Sequence, residues 1–87
     1  MLTYVINIVT VAKAEDAYNE VATNLYPIII RTFNEDTLKE HIRSLAENIK
    51  KTLKSKYLYH QAHLCIRTIE DDQEFRWKLS DVVKLQY

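Results

Sequence analysis

The stretch 34-NEDTLKEHIRSLAENIKKTLKSKY-57 decides how the rest of the chain must be arranged. Leu38, Ile42, Leu45, Ile49 and Leu53 recur at the 3.6-residue period of an amphipathic helix, with Ala46 beside the stripe. Asn34 is a good N-cap, since its side-chain oxygen can accept from a free backbone N–H of the first turn. Glu35, Asp36 and Glu40 follow at the positive end of the helix dipole. Lys50, Lys51, Lys54 and Lys56 crowd the negative end. Glu35 with Lys39, and Glu47 with Lys51, are i,i+4 pairs in the favourable orientation. The expectation is one continuous helix of roughly 33 Å, against strands of about 20 Å. Such a helix overhangs its sheet unless a partner covers the excess.

Upstream, Leu2 to Val11 is β-branched and aromatic, and mostly apolar on both faces, as in an inner strand. Ala14, Ala17, Tyr18, Val21, Ala22 and Leu25 fall at helical spacing, with Glu15 and Asp16 in the first turn, so a short helix is expected to end before Pro27. Ile28 to Phe33 reads as a second inner strand. Downstream, Leu58 to Ile69 reads as a strand and Glu70 to Gln73 as a polar turn. Glu74 to Leu79 alternates, with Phe75, Trp77 and Leu79 on the core face. Ser80-Asp81 breaks the pattern, leaving Val82 to Tyr87 as an edge strand or a capping turn.

The expected fold is thus an α+β two-layer sandwich in β-α-β-α-β-β order, a mixed sheet with one long helix and a C-terminal hairpin. Right-handed crossovers set the first three strands parallel and the fourth antiparallel at an edge. The chain of 87 residues is read as a single small domain, 1–87. In this topology the long helix begins at the same end as the hairpin turn. Glu35, Asp36, Glu40, Glu70, Asp71, Asp72 and Glu74 would form an acidic pole and the four lysines a basic one. Two copies packed antiparallel would bring opposite poles together.

Composition narrows the function. Hydrophobic residues make up 47% and charged residues 28%, as in an ordinary globular chain, and formal net charge is zero. No global field therefore drives binding to nucleic acid or anionic membrane. Glycine is absent, which removes the phosphate-binding P-loop, the dinucleotide fingerprint and the standard calcium loop. A lone Cys65 forbids an internal disulfide and fits a reducing, cytoplasmic or intracellular setting. The apolar run from Leu2 lacks a preceding cation and is too short to span a bilayer, so a buried strand explains it better than a leader or a membrane anchor.

Catalytic and metal chemistry find little support. On a strand, His63 and Cys65 share a face while His60 faces away, so only two ligands converge where a structural zinc needs four. A further ligand would have to come from elsewhere, such as His41, whose place at the edge of the helix stripe is explained by boundary packing. Nothing marks a third group to orient a Cys65–His63 pair. The carboxylates at 70–74 suit a solvated hairpin tip better than a Mg²⁺ site. No enzyme, cofactor or metal is expected.

Lys50, Lys51, Lys54 and Lys56 run directly into Tyr57 and Tyr59, with His60 next. Arg67, Arg76 and Lys78 would extend the same patch from an open sheet face. The leading reading is a small protein-binding module, an adaptor, regulator or inhibitor of a partner protein, expected as a homodimer. An exposed hairpin edge open to strand addition supports it. The alternative is a nucleic-acid-binding protein, in which those lysines neutralise phosphates and the tyrosines stack on bases.

Overall fold

The computed structural model describes residues 1–14, 17–24 and 26–87. It is an α+β fold whose described residues form five strands and four helices. β1 (Leu2–Ala14) is followed by β2 (Ala17–Ala22) and β3 (Ile28–Thr32). Three helices come next: α1 (Glu35–Ser44), α2 (Ala46–Leu53) and α3 (Lys56–Gln61). β4 (His63–Thr68), β5 (Glu74–Lys78) and the short α4 (Leu79–Val82) complete the chain.

β1 is the centre of the sheet. One of its edges pairs with β4, from Tyr4↔Thr68 to Val9↔His63. The other edge is shared end to end, with β3 opposite Leu2 to Ile6 and β2 opposite Val9 to Ala14. Ile8, in the gap between them, is closed by side chains. Its N–H donates to Asn24 Oδ1 at 2.9 Å, and its carbonyl accepts from the Thr23 N–H at 2.8 Å and the Thr23 hydroxyl at 3.1 Å. Asn24 Nδ2 also donates to the Tyr26 carbonyl, which turns the chain from one strand into the next. Without these bonds a central strand would carry unpaired backbone groups, each a sizeable cost if buried.

The sheet differs from the sequence expectation in three respects. Every strand pairing among the described residues is antiparallel, where parallel neighbours were expected. The expected helix from Ala14 to Leu25 is instead β2, with Glu15, Asp16 and Leu25 outside the described residues. An antiparallel hairpin connection can be tight, whereas a parallel one needs a long crossover. The second inner strand is at an edge, since β3 pairs only with β1 among the described residues.

Helices pack on one face of the sheet. Even-numbered residues of β1 and β4 point there: Tyr4, Ile6, Ile8, Leu64 and Ile66 are buried with Leu38, Ile42, Ile49 and Leu53. Each such full burial contributes about 1.5–3 kcal/mol. The helical stripe was therefore correctly placed, with Leu45 and Ala46 at its half-buried margin. The single long helix was not. It breaks at Leu45 (φ −95°, ψ 12°), ends at Lys54 in left-handed geometry (φ 63°), and restarts at Ser55, whose hydroxyl accepts from the Leu58 N–H. The overhang argument for a partner falls with it.

The N-terminal half of the expected strand Leu58–Ile69 is the third helix, and only His63–Thr68 is extended. Ser55 caps that helix, and Tyr59 packs into the core from it. Val82 to Tyr87 is the capping alternative rather than an edge strand. Val82 and Val83 are buried, Arg43 Nε donates to the Val82 carbonyl at 2.8 Å, and the Tyr59 hydroxyl donates to the Val83 carbonyl.

A lysine in left-handed geometry carries a Cβ clash that glycine lacks. Lys54→Gly should therefore raise stability by about 1 kcal/mol, read as a higher urea midpoint. A lower midpoint would contradict the assignment of strain to this position.

Candidate binding surfaces

The face of the sheet away from the helices is built by the odd-numbered residues of β1. Thr3, Val5, Asn7, Val9 and Val11 lie in a row there. Val5 has Ile29 on one side and Arg67 on the other, and Asn7 opposes Cys65, which opposes Arg76. Val5, Asn7 and Val9 are half-buried, while Ile29 is 64% exposed. A shallow groove of about 510 Å³ runs over Val5, Asn7, Cys65, Arg67 and Arg76.

Arg76 and Glu20 close this face at one side. The guanidinium Nη1 and Nη2 donate to the two carboxylate oxygens at 2.5 Å each, a paired-fork arrangement with both side chains about half exposed. In a flat sheet these residues would be far apart. Arg76 on β5 lies three strand spacings from Glu20 on β2, and four positions out of line along the strands. That amounts to roughly 20 Å, beyond the combined reach of the two side chains. The sheet must therefore coil toward this face, carrying the long β1–β2 hairpin over it.

Electrostatics follow the contacts. The hydrogen bond from Arg76 holds the Glu20 carboxyl below the usual carboxylate range, and raises the already high pKa of Arg76. Burial pushes the Cys65 thiol up, which keeps it protonated and a poor nucleophile at neutral pH. Among the described residues, no group of three or more His, Cys, Asp or Glu is placed to hold a metal. No helix there is long and apolar enough to cross a membrane.

Of the expected acidic pole, Glu35, Glu70 and Asp71 come together near Tyr4, for a reason different from the expected topology. β3 and β4 both finish beside the start of β1. The Thr3 N–H and hydroxyl donate to the Glu70 carboxylate at 2.6 and 2.7 Å, and the Ile69 N–H donates to the Thr3 carbonyl. Tyr4 lies beneath, its phenol pKa raised first by burial and then by Glu35, Asp71 and Glu70. Asn34 caps α1 at the same end by accepting from the Thr37 N–H at 3.0 Å.

The patch expected from Lys50, Lys51, Lys54, Lys56, Tyr57, Tyr59, Arg67 and Arg76 is divided by the structure. The lysines and Tyr57 belong to the helical layer, and Tyr57 is 75% exposed. Tyr59 is buried, and its hydroxyl anchors the C-terminal segment, so it is no stacking platform. Lys50 Nζ sits 5.4 Å from the Tyr87 ring, a contact that sequence reading missed. Arg67 and Arg76 stand on the opposite face of the sheet, and Arg76 is already paired. His60 is exposed on α3, away from the strand that carries His63 and Cys65.

No protein-family model, curated protein or solved structure matches this chain. The geometry alone carries the functional argument.

Glu70 gives a pH test. Thr3 holds its carboxyl below the ordinary value of 4.5, chiefly through the backbone N–H. A depressed folded-state pKa contributes stability above the unfolded value, and that contribution is lost as pH falls through the folded value. Between pH 6 and pH 3, the urea midpoint of the natural chain should fall more steeply than that of Glu70→Gln. Parallel curves would show that the Thr3–Glu70 bonds do not couple to folding.

Proposed function

We propose that this chain is a small non-enzymatic protein-binding module, an adaptor, regulator or inhibitor that self-associates and engages a partner polypeptide through the uncovered face of its sheet. The observation that carries the reading is the two-sidedness of β1. Tyr4, Ile6 and Ile8 are sealed by helices, whereas Val5, Val9 and Val11 stand on the other face, with the exposed Ile29 beside Val5. Apolar side chains on a coiled, concave face, rimmed by the exposed Arg67, suit a segment that brings both apolar and acidic groups. The raised Cys65 thiol pKa argues for a packing role at this face rather than a chemical one.

The nucleic-acid reading keeps one specific support: Lys50, Lys56 and Lys84 lie in the helical layer and C-terminal tail near Tyr87. Against it, Tyr59 is withdrawn into the core and the arginines lie on the other face. A single capture experiment separates the two. The partner should be retained when Lys50, Lys51, Lys54 and Lys56 become Glu, and lost with Ile29→Asp, which alters an exposed side chain on the sheet face. Loss with the lysine variant together with sensitivity to nuclease would instead establish the nucleic-acid reading. Labelled oligonucleotide should show no tight binding that collapses with added salt.

A further inference from the structure

β5 ends the sheet, and among the described residues it pairs only with β4. Which of its backbone groups face outward follows from the ladder. Thr68 N–H donates to the Gln73 carbonyl and Leu79 N–H to the Ala62 carbonyl, so residues 73 and 79 bond inward. Antiparallel strands alternate, which sends Phe75 and Trp77 inward as well. The N–H and C=O groups of Glu74, Arg76 and Lys78 therefore point away from the sheet.

We infer that this edge is the self-association surface: a second copy of the chain adds its own β5 antiparallel, about a twofold axis at Arg76. The strand reads Glu74-Phe75-Arg76-Trp77-Lys78, and reversed against itself it is complementary at the four positions that flank Arg76. Glu74 faces the second copy's lysine and Lys78 its glutamate. Phe75 faces the tryptophan and Trp77 the phenylalanine, on the helix side of the sheet. All three outward-facing residues pair in this register, and the two copies share one continuous sheet.

Two features address the obvious objection that charged edge strands deter pairing. The central Arg76 meets its own symmetry mate, but each guanidinium already holds the Glu20 carboxylate of its own chain. The flanking charges are opposite in sign, so they attract in this register. A slip that centres the axis on Trp77 would set Arg76 against Lys78, and is disfavoured. The aromatic pair is also prepared: Phe75 and Trp77 lie 5.2 Å apart on one face, half-buried, with Lys39 Nζ 4.8 Å from the Trp77 ring. In the dimer they oppose each other at non-hydrogen-bonded sites, where cross-strand side chains come closest. The outer edge of β3, Ile-Ile-Ile-Arg-Thr, has no such self-complement.

This inference rests on the self-association half of the reading above. Its test is sedimentation velocity of the full chain over a concentration series, with Glu74→Lys, Lys78→Glu and the double exchange. Both side chains are exposed, so the fold should survive. Each single change turns two symmetry-related attractions into repulsions and should weaken the dimer about tenfold. The double exchange should restore it. A dimer indifferent to the single changes, or weakened but not rescued by the exchange, overturns this edge while leaving self-association intact. A monomer at every concentration overturns both, and leaves partner binding by the sheet face to its own test.

Discussion

A strand of 13 residues at the centre of a small sheet presents backbone groups along both edges, and much of this fold serves to pair them. β4 supplies one edge over Tyr4 to Val9. No single strand supplies the other. It is assembled from β3, the Thr23–Asn24 link and β2 in succession, so the chain lays down a complete flank for β1 before its helices begin. The side chains at 23 and 24 stand in for the missing residue of a strand. They allow β2 and β3 to be separate elements that can follow β1 as it coils.

That coiling links the fold to its candidate surface. β1 and β2 extend beyond the part of the sheet covered by β4, and the Arg76–Glu20 pair draws them across the uncovered face. The same arginine lies on the outermost strand, with its backbone directed outward and its side chain directed back over the sheet. One residue thereby shapes the concave face and neutralises the middle of the free edge. The proposed partner-binding face and the proposed dimer edge meet at Arg76 but use different groups of it.

Sequence reading recovered what depends on local periodicity. The stripe from Leu38 to Leu53, the Asn34 cap and the 74–78 alternation are all present. It failed where tertiary pairing overrides the local pattern. Ala17 to Ala22 has helical spacing and no apolar–polar alternation, yet it pairs with β1 as a strand. Tyr57-Leu58-Tyr59 has the aromatic character of a strand, yet Ser55 caps it as a helix. Ser55 is an N-cap residue type, but it sits inside a lysine-rich segment that reads as the continuous end of one helix. Lys54 gave no warning of left-handed geometry, because a chain without glycine must end its helices on residues that usually continue them. The divided basic patch is a different kind of miss. Alternation put Arg67 and Arg76 on a sheet face, but only the packing of the helices shows that the lysines belong to the other layer.

The fold rests on one continuously paired edge of β1, formed by β3 and β2, with the gap at Ile8 closed by Asn24. Amide hydrogen exchange at Ile8, measured in the natural chain and in Asn24→Ala, tests it most directly. The Ile8 amide should exchange as slowly as its neighbours Ile6 and Thr10 in the natural chain. In the variant it should lose protection selectively, while those neighbours keep theirs. An Ile8 amide that exchanges freely in the natural chain, or is indifferent to the loss of Asn24, would show that Asn24 does not close this edge of β1.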